Sequence, residues 1–163
     1  MFPEDVETLA RTLVATCAAR NLTVATAESC TGGLVSAAIT AIPGASVVFD
    51  RGLITYSNLA KQTLLGVSAG LIDQFGAVSE PVAVAMAEGC LDRAGVDLAV
   101  AITGVAGPGG GSAEKPVGLV HFAAVSADGQ AIRRSVRLGD MGRAMIQMAA
   151  VRIALEMLLE LAT

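Results

Sequence analysis

Apolar and polar positions alternate along this chain in two rhythms. From residue 4 to 19, Val6, Leu9, Ala10, Leu13, Val14 and Cys17 recur at helical spacing. Residues 22–27, Leu-Thr-Val-Ala-Thr-Ala, form a short β-rich run that predicts a buried strand. Thr31-Gly32-Gly33 then opens a helix of small residues, Leu34 to Ala41, which ends before Pro43-Gly44. Val47 to Tyr56 reads as a second strand. Leu59 to Leu65 predicts a short helix stopped by Gly66, and Ser68 to Phe75 repeats the pattern up to Gly76. Ser79-Glu80-Pro81 has the signature of a helix start, and that helix runs to Ala94 before Gly95. Leu98 to Thr103 predicts a third strand. After a glycine-rich loop, Gly104 to Pro116, the segments Val117–Ser126 and Gln130–Leu138 predict an antiparallel hairpin turning at Asp128-Gly129. Met141 to Leu161 predicts a long closing helix. Strands alternating with helices, then a hairpin and a helix, predict an α/β fold: a three-layer α/β/α sandwich around a mixed β-sheet.

Composition narrows this picture. The 163 residues fit a single domain over 1–163. The apolar fraction is 53% and the aromatic fraction 3%, so the core is built from Ala, Val, Leu, Ile and Met. No apolar run approaches the roughly 20 residues that span a bilayer, and the acidic N-terminus has no signal-peptide pattern, so a cytoplasmic protein is expected. Net charge is −4, and only Arg133, Arg134 and Arg137 cluster. Arg133 and Arg137 share parity on the last strand, which favours an exposed strand face over a nucleic-acid patch. Cys17, Cys30 and Cys90 fit no metal-binding spacing, and there is a single histidine. Reduced thiols and no zinc site are expected. The Met-rich final helix (Met141, Met145, Met148, Met157) suits core or interface equally.

Reactive side chains are scarce, which makes the few that remain informative. There is one tyrosine, Tyr56, and two lysines, Lys61 and Lys115. Glu28-Ser29-Cys30-Thr31-Gly32-Gly33 lies at a strand-to-helix turn, where backbone N–H groups favour an anion or a developing oxyanion. Ser29 or Thr31 could instead only cap the helix. Cys30 could be a nucleophile with a lowered pKa, or a small buried hydrophobe. A serine nucleophile needs a base. His121, inside an apolar strand, suits that role less than Lys61, because a desolvated lysine can lose its charge. Tyr56 could relay the proton. Thr103-Gly104-Val105-Ala106-Gly107-Pro108 follows a strand, as ligand loops of α/β folds do. It is neither a phosphate-binding Gly-Lys-Ser/Thr loop nor a clean dinucleotide motif. Its glycines, Gly104 and Gly107 among them, would let backbone approach a small polar ligand beside the Thr103 hydroxyl; a plain surface loop is the other reading. Lys115 belongs to this loop.

Taken in order, Thr26-Ala-Glu-Ser-Cys-Thr-Gly-Gly33, Gly52-Leu-Ile-Thr-Tyr-Ser-Asn58 with Lys61, Gly76-Ala-Val-Ser-Glu80, Ala101-Ile-Thr-Gly-Val-Ala-Gly-Pro108 and Glu114-Lys-Pro-Val-Gly118 resemble the CinA C-terminal domain family, over about residues 5 to 160. That family includes stand-alone nicotinamide-nucleotide amidases. The resemblance implies hydrolysis of nicotinamide mononucleotide to nicotinate mononucleotide and ammonia, with no metal or organic cofactor and with homodimers or higher homo-oligomers. It places the family's Ser, Tyr and Lys on Ser29, Tyr56 and Lys61, and its substrate-contacting Thr on Thr103. Thr31, Gly32, Gly33, Gly104 and Gly107 become candidate substrate contacts. The family's Arg after a Gly-Asp turn falls nearest on Arg143, in a longer turn, Gly139 to Arg143; a further family Arg is Gln147 here. Larger family members carry an extra N-terminal domain that this sequence does not show. A non-catalytic nucleotide-binding module built on the same loops is the alternative.

Overall fold

A computed structural model describes residues 1–163. Its elements run α1 (Glu4–Arg20), β1 (Val24–Glu28), α2 (Leu34–Thr40), β2 (Phe49–Ile54), α3 (Asn58–Leu65), α4 (Ala69–Phe75), α5 (Glu80–Ala94), β3 (Leu98–Gly104), β4 (Leu119–Ser126), β5 (Ala131–Arg137) and α6 (Arg143–Ala162). The five strands form one mixed sheet in the order β2-β1-β3-β4-β5. β2, β1 and β3 are parallel, while β4 and β5 continue antiparallel as the expected hairpin. The result is an α/β fold with helices on both faces.

Side-chain alternation sorts the two cores. In β3, Leu98, Val100 and Ile102 face the larger cluster, with Val6, Leu13, Ile39, Leu155 and Leu158 from α1, α2 and α6. Ala99 and Ala101 face the other side, with Val82, Met86 and Cys90 of α5 and Leu65 of α3. Small residues on that side let α5 lie close to the sheet.

The connection from β1 to β2 passes through α2, and that from β2 to β3 through α3, α4 and α5. The chain therefore leaves β1 towards one edge and returns beyond it on the other side. This reversal of strand order opens a crevice outside the carboxyl ends of β1 and β3. Ser29 follows β1, Thr103 ends β3, and Tyr56 follows β2.

Several predicted boundaries shift: β1 runs Val24–Glu28 rather than 22–27, and β2 ends at Ile54 rather than Tyr56. Val47 lies in a single 3-10 turn, Ala45–Val47, rather than in β2. β4 begins at Leu119 rather than Val117. The final helix begins at Arg143 rather than Met141, because Gly139 and Gly142 both adopt positive φ.

Candidate active site

The alternation of side chains between the two faces continues past the end of β1. Glu28 points to the α2 side of the sheet and Ser29 to the α3 side, since neighbouring strand residues face opposite ways. The Ser29 N–H still pairs with the Ile102 carbonyl, extending the β1–β3 ladder by one residue (3.1 Å).

On the α2 side the fully buried Glu28 carboxylate caps the helix. One oxygen, Oε2, accepts from Thr31 Oγ1 (2.7 Å) and the N–H groups of Gly33 (3.0 Å) and Val35 (3.1 Å). The other, Oε1, accepts from Ser36 N–H (2.8 Å) and Ser36 Oγ (2.7 Å). A carboxylate at a helix N-terminus is favoured by the dipole and by the unpaired donors there.

This contact revises the expected substrate contacts at the turn. The Thr31 hydroxyl is buried against Glu28, the Gly33 N–H is committed to the same carboxylate, and the Gly32 N–H donates to the Ser29 carbonyl (3.0 Å). Thr31, Gly32 and Gly33 do not line the cleft. The N–H groups after Ser29 that have no protein acceptor are those of Cys30 and Thr31.

On the α3 side Ser29 meets Lys61. Ser57 caps α3 by accepting from the Ala60 N–H, and Gly66 ends it with φ of 71°. Lys61 and Leu65 share the inward face of this helix at i, i+4, so the lysine is carried into the core; it is 1% exposed. Its Nζ donates to Ser29 Oγ (2.9 Å), the Thr55 carbonyl (2.7 Å) and, at longer range, the Tyr56 carbonyl (3.4 Å). No carboxylate pairs with it. Burial therefore pushes the Lys61 pKa below the usual lysine range, towards the neutral amine.

The cleft at this point has a volume of about 260 Å³. Ser29, Cys30, Tyr56, Lys61, Thr103, Gly104, Gly107 and Arg143 all line it. Thr103 donates its hydroxyl to the Ala77 carbonyl (2.7 Å) and so joins β3 to the α4–α5 turn. The Tyr56 ring is 61% exposed. Its hydroxyl lies not on Ser29 or Lys61 but on Arg143, whose Nη2 donates to it (2.9 Å) while Nη1 donates to the Gly107 carbonyl (2.8 Å). Arg143 thus ties both walls of the mouth together from the first residue of α6.

The other candidate nucleophile and bases are placed less well: Cys30 lines the cleft but is a buried thiol, and His121 and Lys115 lie elsewhere. Burial raises the Cys30 thiol to about 12, which opposes a thiolate there. His121 sits on β4 with Nδ1 hydrogen-bonded to Ser135 Oγ (2.7 Å), in a different depression. Lys115 donates to the Phe75 carbonyl (2.6 Å) in that same depression. No group of three or more His, Cys, Asp or Glu side chains is placed to hold a metal ion. Arg133 and Arg137 do share the exposed face of β5. Two functional-site residues had no local signal: Glu28 reads as the polar end of a strand, and Gln147 donates to the Cys30 carbonyl (2.9 Å) from 117 residues away.

Known proteins resemble this chain in sequence and fold. The CinA C-terminal domain pattern matches residues 6–162. A CinA-like protein of Parasynechococcus marenigrum is 49% identical over 153 residues, covering 93% of this chain and 36% of that protein. A putative competence-damage inducible protein of Symbiobacterium thermophilum is 55% identical over 76% of this chain and 29% of its own length. The chain thus spans about a third of the curated relatives it matches. Among solved structures, a competence/damage inducible protein from Agrobacterium tumefaciens superposes with a TM-score of 0.99 at 52% identity, covering 100% of this chain and 99% of that one. A CinA superfamily protein from Klebsiella pneumoniae gives 0.91 at 36% identity, with 96% and 97% coverage.

Proposed function

The chain belongs to the CinA C-terminal domain family, and on that premise we propose that it is an amidohydrolase converting nicotinamide mononucleotide to nicotinate mononucleotide and ammonia. The observation that carries this reading is the buried pair of Ser29 and Lys61, 2.9 Å apart, with no carboxylate to hold the lysine charged. A purely structural lysine gains nothing from such a site, since desolvation of an ammonium is costly. A general base gains a pKa closer to neutrality.

Neutral Lys61 accepts the Ser29 hydroxyl proton as Oγ attacks the carboxamide carbon. The carbonyl π pair moves onto oxygen, and the Cys30 N–H is the donor nearest the nucleophile to receive it. Collapse of the tetrahedral intermediate breaks the C–N bond. The nitrogen leaves as ammonia after taking a proton that Lys61 held. Tyr56 assists: its oxygen accepts from Arg143, so its own O–H is free to donate towards the departing nitrogen. Water, deprotonated by Lys61, then cleaves the acyl-serine ester and restores the enzyme. Arg143, Thr103 and the glycine backbone at Gly104 and Gly107 line the same cleft, and in this reading they take the nucleotide part of the substrate. The residues themselves supply every step, so the proposal includes no metal and no organic cofactor. A homo-oligomer acting on this small nucleotide in the cytoplasm is the expected setting. No helix is long and apolar enough to cross a membrane.

Ammonia release from nicotinamide mononucleotide tests the reading. Wild type and Cys30→Ala are expected to be active and Ser29→Ala inactive. Tight binding of the nucleotide without ammonia release would instead favour the non-catalytic nucleotide-binding module.

A further inference from the structure

α6 sends two side chains towards the site from its first turns. Arg143 reaches the mouth, and Gln147, four residues on and on the same helix face, reaches the turn behind the nucleophile. Gln147 Nε2 donates to the Cys30 carbonyl at 2.9 Å. The preceding carbonyl, that of Ser29, accepts from the Gly32 N–H at 3.0 Å. Each peptide unit is planar and trans, so its C=O and N–H point in opposite directions. A hydrogen bond to the carbonyl therefore fixes where the N–H of the same unit points. The Ser29–Cys30 and Cys30–Thr31 planes are both held in this way, one by local backbone and one by α6.

The N–H groups belonging to these two planes are those of Cys30 and Thr31, the pair without a protein acceptor. Backbone donors left unpaired beside buried side chains are rare, because each forfeits its hydrogen bond to water. Here Ser29, Cys30 and Thr31 are all buried, and Cys30 borders the cleft. Both carbonyls of the turn are engaged, while its two N–H groups have no protein acceptor.

We propose that Gln147 is a positioning residue: its amide holds the Cys30–Thr31 peptide through the Cys30 carbonyl, fixing the far side of the Cys30 Cα, so that the turn keeps the Cys30 N–H, whose own plane the Gly32 N–H holds, aimed at the substrate's carbonyl oxygen as that oxygen becomes negative. The inference rests on Ser29 being the nucleophile. Gln147 touches no reacting atom, and it acts by keeping the donor in place before charge develops. Loss of its hydrogen bond frees the Cys30–Thr31 peptide, leaves the Ser29–Cys30 plane held by the Gly32 N–H alone, and so loosens the turn that presents the donor. The cost falls on the transition state and leaves substrate binding intact.

The experiment compares wild type, Ser29→Ala, Gln147→Leu and Gln147→Glu. Leu removes the donor. Glu keeps the shape but, when ionised, only accepts, so it reads the same contact should the Leu variant not fold. Ammonia release from nicotinamide mononucleotide is followed together with the acylation burst from p-nitrophenyl acetate, which needs an oxyanion site but no nucleotide recognition. Both Gln147 variants are expected to lower kcat about tenfold to a hundredfold with KM within about twofold, and to slow the burst by a similar factor. The midpoint of the pH–rate profile, set by Lys61, stays in place. An unchanged burst rate in the variants, or a rise in KM alone, overturns the inference. So does a wild-type burst that survives Ser29→Ala. A Ser29-dependent burst in wild type without ammonia from the nucleotide sinks the substrate reading and leaves the Gln147 comparison standing.

Discussion

Lys61 carries the sharpest consequence at the scale of single residues. An ammonium buried among Ser29 Oγ and two backbone carbonyls satisfies its three donors, but no negative charge offsets its desolvation. The folded-state pKa therefore lies below the unfolded lysine value, for which burial is the cause. The proposed base must be the neutral amine, so kcat/KM should rise with pH through this lowered pKa and level off above it. The acid limb is expected below the pH at which a free lysine titrates. Stability follows the same sign. Between the folded and unfolded pKa values the unfolded chain binds more protons, so this group's contribution to stability increases as pH rises across that window. Lys61→Arg keeps a cation at the site and cannot deprotonate, so activity should fall by at least a thousandfold, on the order of losing a general base and more. An active Arg variant, or a flat pH profile, would remove the base role from Lys61. Cys30, by contrast, is a buried thiol raised to about 12, and removing its sulfur should leave the chemistry intact.

Elements deliver these residues, and their packing can be tested away from the chemistry. α3 crosses α5 where Gly89 faces the last turn of the shorter helix. A Cβ at Gly89 would lie 1.9 Å from the Leu65 carbonyl oxygen, a rigid backbone atom one turn beyond Lys61. Gly89→Ala should therefore push α3 outward, costing about 3 kcal/mol by overpacking. For a chain of this length that lowers the unfolding midpoint by roughly 6–12 °C, and activity should drop with it as the Lys61–Ser29 contact lengthens. Gly70→Ala in α4 is the control, since nothing lies within 4 Å of its added methyl and its φ is not positive. There the helix should gain up to about 1 kcal/mol. A Gly89→Ala variant as stable and active as wild type would contradict the close crossing. The helices α3, α4 and α5 were legible because Ser57, Ser68 and Ser79 cap them and glycines follow them. The start of β2 was not legible: Val47 has strand chemistry, but Gly44 turns the chain into a 3-10 turn instead. Glu28 was equally opaque, because a strand-end carboxylate announces nothing about the helix it caps until the alternation of faces is known.

For the whole molecule, the candidate site is an assembly of distant segments gathered where the strand order reverses. Ser29 comes from the end of β1, Lys61 from α3, Thr103 from β3 and Arg143 from α6. The local turns and the parallel sheet were readable from sequence, and they suffice to bring Ser29, Thr103 and the glycine loop to one edge. The resemblance pointed to Arg143, but the contacts of α6 were not readable: Arg143 meets Gly107 and Tyr56 from 36 and 87 residues away and Gln147 meets Cys30 from 117, and all depend on how the last helix packs. Yet α6 is what closes the site. Arg143 links the Tyr56 hydroxyl to the Gly107 carbonyl, so one side chain both braces the mouth and supplies the cation within the cleft. In a protein of net charge −4, that local cation would offset repulsion of the proposed phosphorylated substrate. Arg143→Ala should therefore raise KM for nicotinamide mononucleotide about tenfold to a hundredfold, in keeping with loss of a charge-assisted contact of roughly 1.5–3 kcal/mol. Nicotinamide riboside has the same carboxamide and no phosphate, and the substitution should change its KM far less. If both substrates weaken by the same factor, Arg143 serves the mouth alone, and the phosphate is held by the backbone at Gly104 to Gly110. If neither weakens, the bridge seen between Tyr56 and Gly107 has no part in recognition.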